Sequence, residues 1–245
     1  MLQPLAAYAE RLARGATVMF EVPSSAGVPD VVLLVLDEEV CKERAARAPI
    51  VEPVDLRIMI SVSSARGGLE RCWSESELAD RARVSQAHLR RSVLPRLADG
   101  GHFATAGRGW RLVHRYRSLA RRVVTVEAKL RDWRGAVGQA ARHAAVADRA
   151  WVALDSATIA PARNHETWFT TYGVGLLSVS SGGSVKKLIT PAGRRTRQAG
   201  RELLVERSVA LLREGRTSGD IPLVFGERLL ASRGADPRLQ GVWAS

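Results

Sequence analysis

At 245 residues the chain can bury one good core plus a small second domain, and its formal charge of +12, with a pI near 11.0, favours a polyanionic partner. Two cysteines, Cys41 and Cys72, are too few for a disulfide framework or a zinc cluster and point to a reducing cytoplasm. Apolar strand runs are too short to cross a bilayer, Glu10, Arg11 and Arg14 come too early for a secretory signal, and no lipidation signal or long basic amphipathic helix speaks for a membrane surface.

Residues 5–13 have helical spacing and 17–22 read as a strand. Residues 28–37 follow as an apolar run bounded by charges, opened by Pro29-Asp30 and of the right length for a core strand. The charged stretch 38–44 reads as a helix, and 48–53 as a linker.

From 54 to 116 the organisation changes. Residues 55–62 fit either a helix or a strand, because Ile58, Ile60 and Val62 suit both periods. Ser74 and Glu77 make a capping box ahead of a short helix. A turn at Arg83-Val84 leads to Ser85, a second N-cap, and a second helix from Gln86. Pro95 should end or kink that helix, although Leu89, Val93, Leu94 and Leu97 carry its pattern on to about Asp99. Two short strands around Gly107-Arg108-Gly109 close the segment. This order looks like a winged helix-turn-helix, whose second helix enters the major groove. The likeness assigns DNA contact to Gln86, His88, Arg90 and Arg91 on the helix and to Arg108 and Arg111 on the wing. A helical dimerisation or lid module is the alternative, since Leu, Val and Ala here mostly suit a core.

Residues 123–130 form another strand, with Thr125, Glu127 and Lys129 on one face because strand side chains alternate. If Asp30 lies on the neighbouring strand, two carboxylates and one ammonium converge. Two carboxylates with an open side suit Mg²⁺ or Mn²⁺, which keeps waters and binds phosphate oxygens. A lysine beside such an ion can orient or deprotonate a water and stabilise charge building on phosphate. Only four lysines stand among 37 cationic residues, so Lys129 inside a strand is conspicuous. A helix follows, capped by Asp132, with Trp133, Ala136, Val137, Ala140 and Ala144 at helical spacing and Gln139 one turn before His143. Residues 149–154 return as a strand.

This succession of Pro-Asp strand, Glu-x-Lys strand, helix and strand resembles the PD-(D/E)xK nuclease superfamily over roughly residues 15–37 and 120–180. The resemblance implies an α/β fold, a restriction endonuclease-like mixed sheet flanked by helices. Its core would comprise 1–53 and 117–190, split by the inserted winged helix-turn-helix at 54–116 and followed by a basic helical extension at 191–245. It implies Asp30, Glu127 and Lys129 as the catalytic set, with Asp30, Glu127 and the Ala128 carbonyl holding Mg²⁺ or Mn²⁺. Gln139-x-x-x-His143 is similar to a Gln-x-x-x-Tyr pattern of some members, with His in place of Tyr, and gives Gln139 a supporting or phosphate-contacting role. One more upstream acid is usual in these nucleases, and Glu10 and Glu21 compete for that place as metal ligands. Asp30 and Glu127 stand 97 positions apart, far more than the superfamily's usual short connection, and the insertion accounts for the departure.

The expected function is therefore a metal-dependent endonuclease acting on double-stranded DNA in restriction, defence or repair. A homodimer fits, because double-strand cutting needs two sites, and a partner protein of a defence system is a further expectation. The rival is a DNA-binding regulator or defence-complex subunit that keeps the fold without cutting. Other chemistries lack a pattern: there is no His-Glu-x-x-His, no nucleophile elbow at Ser178 or Ser180, and no Walker A loop. Residues 172–179 and 184–189 read as a hairpin, Gly173-x-Gly175 as a packing feature, 193–197 as a basic run, and 198–213 as a helix.

Overall fold

The structure is a computed structural model that describes residues 1–193 and 199–219; all but the first residue of the basic run at 193–197 lies outside them. The apolar runs become strands: β1 (Thr17–Phe20), β2 (Val31–Leu36), β3 (Cys72–Trp73), β4 (Phe103–Ala106), β5 (Gly109–Leu112), β6 (Ala120–Lys129), β7 (Arg149–Asp155), β8 (Gly175–Val179) and β9 (Val185–Ile189). Six of them make a mixed sheet in the order β1-β2-β6-β7-β8-β9, and β3-β5-β4 make a small separate one. In the large sheet β1, β2 and β6 pair antiparallel, β6, β7 and β8 pair parallel, and β9 returns antiparallel.

Alternation along the strands gives this sheet two apolar faces, and helices cover both. On one face Val31, Leu33, Val124 and Val126 lie against the helices Leu2–Ala7 and Ala9–Leu12. On the other, helix Trp133–His143 covers Val152 and Leu154, and helix Ala199–Arg213 covers Val32, Leu34 and Val123. Each of these fully buried aliphatic side chains contributes roughly 1.5–3 kcal/mol relative to exposure.

Helix Ala199–Arg213 forms where residues 198–213 read as a helix within the basic extension at 191–245. It is buried along most of its length and also packs on helix Pro53–Ser63. Its polar residues disguise this in the sequence: Arg44 pairs with Glu206, and Arg201 pairs with Asp148 and Glu202, so charges that suggest solvent are matched inside. After it, residues 217–219 line the open edge of β1, with Phe20 N–H donating to Thr217 O (2.8 Å) and Gly219 N–H to Phe20 O (3.0 Å).

The chain leaves the sheet after β2 and returns at β6 at adjoining points. Leu36 pairs with Ala120, and Asp37 N–H donates to Leu119 O at 2.9 Å, so the intervening segment is accommodated without parting the ladder. Within it, residues 55–62 fall in a helix, Pro53–Ser63, with proline in its first turn where no amide is needed. The Ser74–Glu77 capping box forms, Arg83 closes that helix at φ 55°, and Ser85 caps the next. That next helix passes Pro95 without ending. The turn ahead of the proline, Leu89–Val93, widens to a π-helix and absorbs the missing amide before helix Leu94–Asp99 continues. The β4–β5 hairpin turns at Gly107 and Arg108, with Gly107 at φ 58°. Leu56, Met59, Val62, Trp73, Leu78 and Leu89 form this segment's core, which Leu203 of helix Ala199–Arg213 joins.

The reading of residues 172–179 is corrected at its start: Tyr172 ends helix Glu166–Tyr172, and Gly173, at φ 67°, is its left-handed cap. Gly175 lies so close to the Trp151 ring that a Cβ would collide with it, the packing role expected. No helix among the described residues is long and apolar enough to cross a membrane.

Candidate active site

The β2–β6 register decides what meets at the end of the sheet. Val31 pairs with Val126, so the preceding residue on one strand, Asp30, falls beside the following residue on the other, Glu127. Both point to the face covered by helix Trp133–His143. Asp30 Oδ2 accepts the Ala128 N–H at 2.6 Å. Lys129 Nζ lies 2.7 Å from Glu127 Oε1 and 3.9 Å from Asp30 Oδ2. Three residues read from two distant stretches of sequence thus converge at the C-terminal end of β6.

Burial sets the charge state of this cluster. Loss of water raises the Asp30 carboxyl above its usual range, against the opposing pull of the Ala128 N–H and Lys129. Burial also raises Glu127, and the neighbouring Asp30 charge raises it further. For Lys129 burial pulls the other way, but the hydrogen bond to Glu127 and the two carboxylates outweigh it and hold the ammonium charged. Glu21 belongs to the same field: burial raises its carboxyl and Asp30 adds to the rise. Its N–H donates to the Asp30 carbonyl at 3.3 Å from a left-handed conformation, φ 51°.

His143 joins the cluster, although the sequence reading gave it no role. Its Nδ1 lies 3.7 Å from Glu127 Oε2, the two residues are only 2 % and 1 % exposed, and neither atom has a hydrogen-bond partner. Burial, then the charges of Arg142 and Lys129, push the imidazole down to about 4, so it is neutral. Gly27, at φ 112°, closes the ring's other side; a Cβ there would come within 3.3 Å of Nε2. The available signal was spacing, because His143 follows Gln139 by one turn on a helix that crosses Glu127. Gln139 itself is half-buried, and no described hydrogen bond ties it to the acids.

Glu10 is not brought to the site. Its helix, Ala9–Leu12, buries Ala9 and Leu12 with Val31, Leu33, Val124 and Val126, on the sheet face opposite Glu127. Its carboxylate instead accepts the Gly15 N–H at 3.0 Å. The upstream acid near Asp30 is Glu21, supplied by the strand end rather than the first helix.

In the inserted segment Gln86, His88, Arg91, Arg108 and Arg111 are exposed. Arg90 is engaged by Glu75 at 2.6 and 2.8 Å, and Arg96 grips the buried Asp55 in a two-point bridge at 2.8 and 2.9 Å. Arg96 therefore holds the segment's fold together.

Among the described residues no three His, Cys, Asp or Glu side chains gather as an all-protein metal cage. Asp30 and Glu127 fit the other arrangement, in which Mg²⁺ takes one or two carboxylates and keeps its waters for phosphate. The unpartnered Glu127 Oε2 and the mutual repulsion of the two acids are what a divalent cation would relieve. The chain matches no family model, no curated protein and no solved structure.

Proposed function

We propose that the chain is a metal-dependent phosphodiesterase and, more narrowly, a DNA endonuclease of the PD-(D/E)xK kind carrying a winged helix-turn-helix. One observation carries this reading: Asp30, Glu127 and Lys129 converge across a single strand pair although 97 positions separate the acids, and a buried carboxylate oxygen among them lacks a partner. Asp30 and Glu127 would hold Mg²⁺ or Mn²⁺, which supplies Lewis acidity and a more acidic water. Lys129 stays protonated, so it orients the attacking water and stabilises charge on the phosphoryl oxygens rather than serving as the base. Glu21 adds negative potential beside Asp30. The exposed Gln86, His88 and Arg91 on the second helix and Arg108 at the hairpin tip form the DNA-contacting set, with Arg90 and Arg111 beside them.

A second reading has one observation in its favour. The Lys129 ammonium already lies against Glu127, so one of the two acids is matched without a metal, as in a non-cutting DNA-binding regulator. Supercoiled plasmid incubated with Mg²⁺, Mn²⁺ or EDTA separates the two. The nuclease reading expects metal-dependent nicking or linearisation, abolished by Asp30→Ala and by Lys129→Ala. Salt-sensitive binding with no cutting under either metal would leave the regulator.

A further inference from the structure

Where the inserted segment meets the sheet, two histidines form a chain that is one proton short. His102 Nε2 lies 2.8 Å from the Ala48 carbonyl oxygen, His102 Nδ1 lies 2.9 Å from His114 Nε2, and His114 Nδ1 lies 3.0 Å from the Arg115 carbonyl oxygen. A carbonyl oxygen only accepts, so both outer nitrogens must carry hydrogens. The central N···N contact needs a third. Two neutral imidazoles bring two, so all three bonds form only when one ring is an imidazolium. His102 is 2 % exposed, so its side of the contact is shielded from water and leaving it unmade is costly.

The surroundings oppose that third proton. Burial first, then Arg44 and Arg47, push His102 down to about 3 and His114 down to about 4, against the raising effect of the two carbonyls and, at His114, of Glu43. Beside His114 opens a cavity of about 330 Å³ whose walls carry Arg44, Arg47, Arg115, Arg117 and Glu43. Glu206 matches Arg44, and Glu43 matches Arg117. Arg47 donates to the Glu43 carbonyl, and neither it nor Arg115 has a carboxylate partner among the described residues. The cavity is thus cationic by about two charges, and its wall includes half of a proton-deficient pair.

We propose that this cavity binds a phosphate-class dianion through Arg47 and Arg115, and that binding is coupled to proton uptake by the His102–His114 pair. An anion there offsets the guanidinium charges that keep the pair neutral, and the imidazolium so formed completes all three hydrogen bonds. Val40 and Arg44 come from the sheet side and Leu69 and Val113 from the inserted segment, so an occupant bridges the two. A small phosphate compound and a DNA backbone phosphate present the same chemistry. The inference is independent of the cutting site.

Sulfate is the probe, because it stays a dianion from pH 5 to 8. Calorimetric titration of the wild type is expected to show saturable binding that tightens at least about five-fold between pH 7.5 and 5.5. Arg47→Ala with Arg115→Ala should weaken it about ten-fold or more. His114→Gln offers His102 Nδ1 an amide hydrogen without taking a proton from solution, so it should bind with the pH dependence gone. Binding unchanged in the double arginine variant, or equally pH-dependent in His114→Gln, overturns the proposal, as does absence of saturable binding to the wild type. A short duplex titrated in EDTA identifies the source. Loss of duplex affinity in the arginine variant, with sulfate competing against duplex, assigns a backbone phosphate; unchanged duplex affinity assigns a free anion.

Discussion

The two ends of β6 carry two buried charged clusters, and only one of them is finished. At the N-terminal end Arg201 uses every N–H it has. Nε and Nη2 reach Asp148 at 3.1 and 2.9 Å, Nη1 reaches Ser118 and Glu202 at 3.1 and 2.8 Å, and Nη2 also reaches the Ala120 carbonyl at 3.2 Å. Asp148 in turn accepts the Val123 N–H at 2.7 Å. At the C-terminal end Asp30 and Glu127 repel, and Glu127 Oε2 and His143 Nδ1 face each other without a bond. A completed network holds a fold at small net cost, whereas an incomplete one is costly unless something else completes it. By this argument the first cluster serves as scaffold, and the second is the one the proposed cation would complete.

Rates should break the symmetry most strongly. Asp30→Asn keeps an acceptor for the Ala128 N–H while removing the charge, and cutting is expected to fall about 10³-fold or more. Fold stability, read from a urea melt at pH 7, should hold or rise by about 1 kcal/mol. Arg201→Met should do the reverse. It strands Asp148 and Glu202, costing about 3–5 kcal/mol, while the rate per folded molecule is retained. If both substitutions lowered stability alike and neither changed the rate separately, the two ends would be one kind of structure.

Acid acts in two directions on the buried titratable groups. A carboxyl raised in the fold is a stability cost when ionised, so the penalties at Asp30 and Glu127 shrink as pH falls toward their ordinary values of 3.8 and 4.5. His102 and His143 act oppositely. Both are neutral in the fold with values pushed down to about 3 and about 4, while the unfolded chain takes up protons near 6.5. Stability is therefore lost as pH falls below 6.5, by roughly 2 kcal/mol for each histidine at pH 5. Urea midpoints at pH 6.5 and 5 should record that fall, and a flat profile would contradict the buried, neutral histidines.

The central triad was legible because its signals are local and periodic. Pro29-Asp30 opens an apolar run, and Glu127 and Lys129 alternate onto one face, so only the strand pairing is non-local. The hairpin tip at Arg108 and the caps at Ser74 and Ser85 were legible for the same reason. The burial of helix Ala199–Arg213 was not legible, because Arg201, Glu202 and Glu206 find partners in Asp148, Tyr116 and Arg44, 53 or more positions away. The contact of His143 with Glu127 was not legible because it depends on how a helix lies across a strand. The His102–His114 pair needs two backbone carbonyls, which no side-chain pattern announces.

The smallest expected effect tests the register argument itself. Glu10 and Glu21 compete as the upstream acid; the helix of Glu10 lies on the sheet face opposite Glu127, whereas Glu21 lies within the electrostatic reach of Asp30. Glu10→Ala should lose the Gly15 N–H contact, shift stability by no more than about 0.5 kcal/mol, and leave cutting within about two-fold. Glu21→Gln, by removing a negative charge beside Asp30, should slow cutting roughly ten-fold and raise the Mg²⁺ concentration needed for half the maximal rate. An equal or larger loss at Glu10 would mean that its helix reaches the reacting end of the sheet from the far side. Site membership would then follow the order of elements in the chain rather than the pairing of Val31 with Val126.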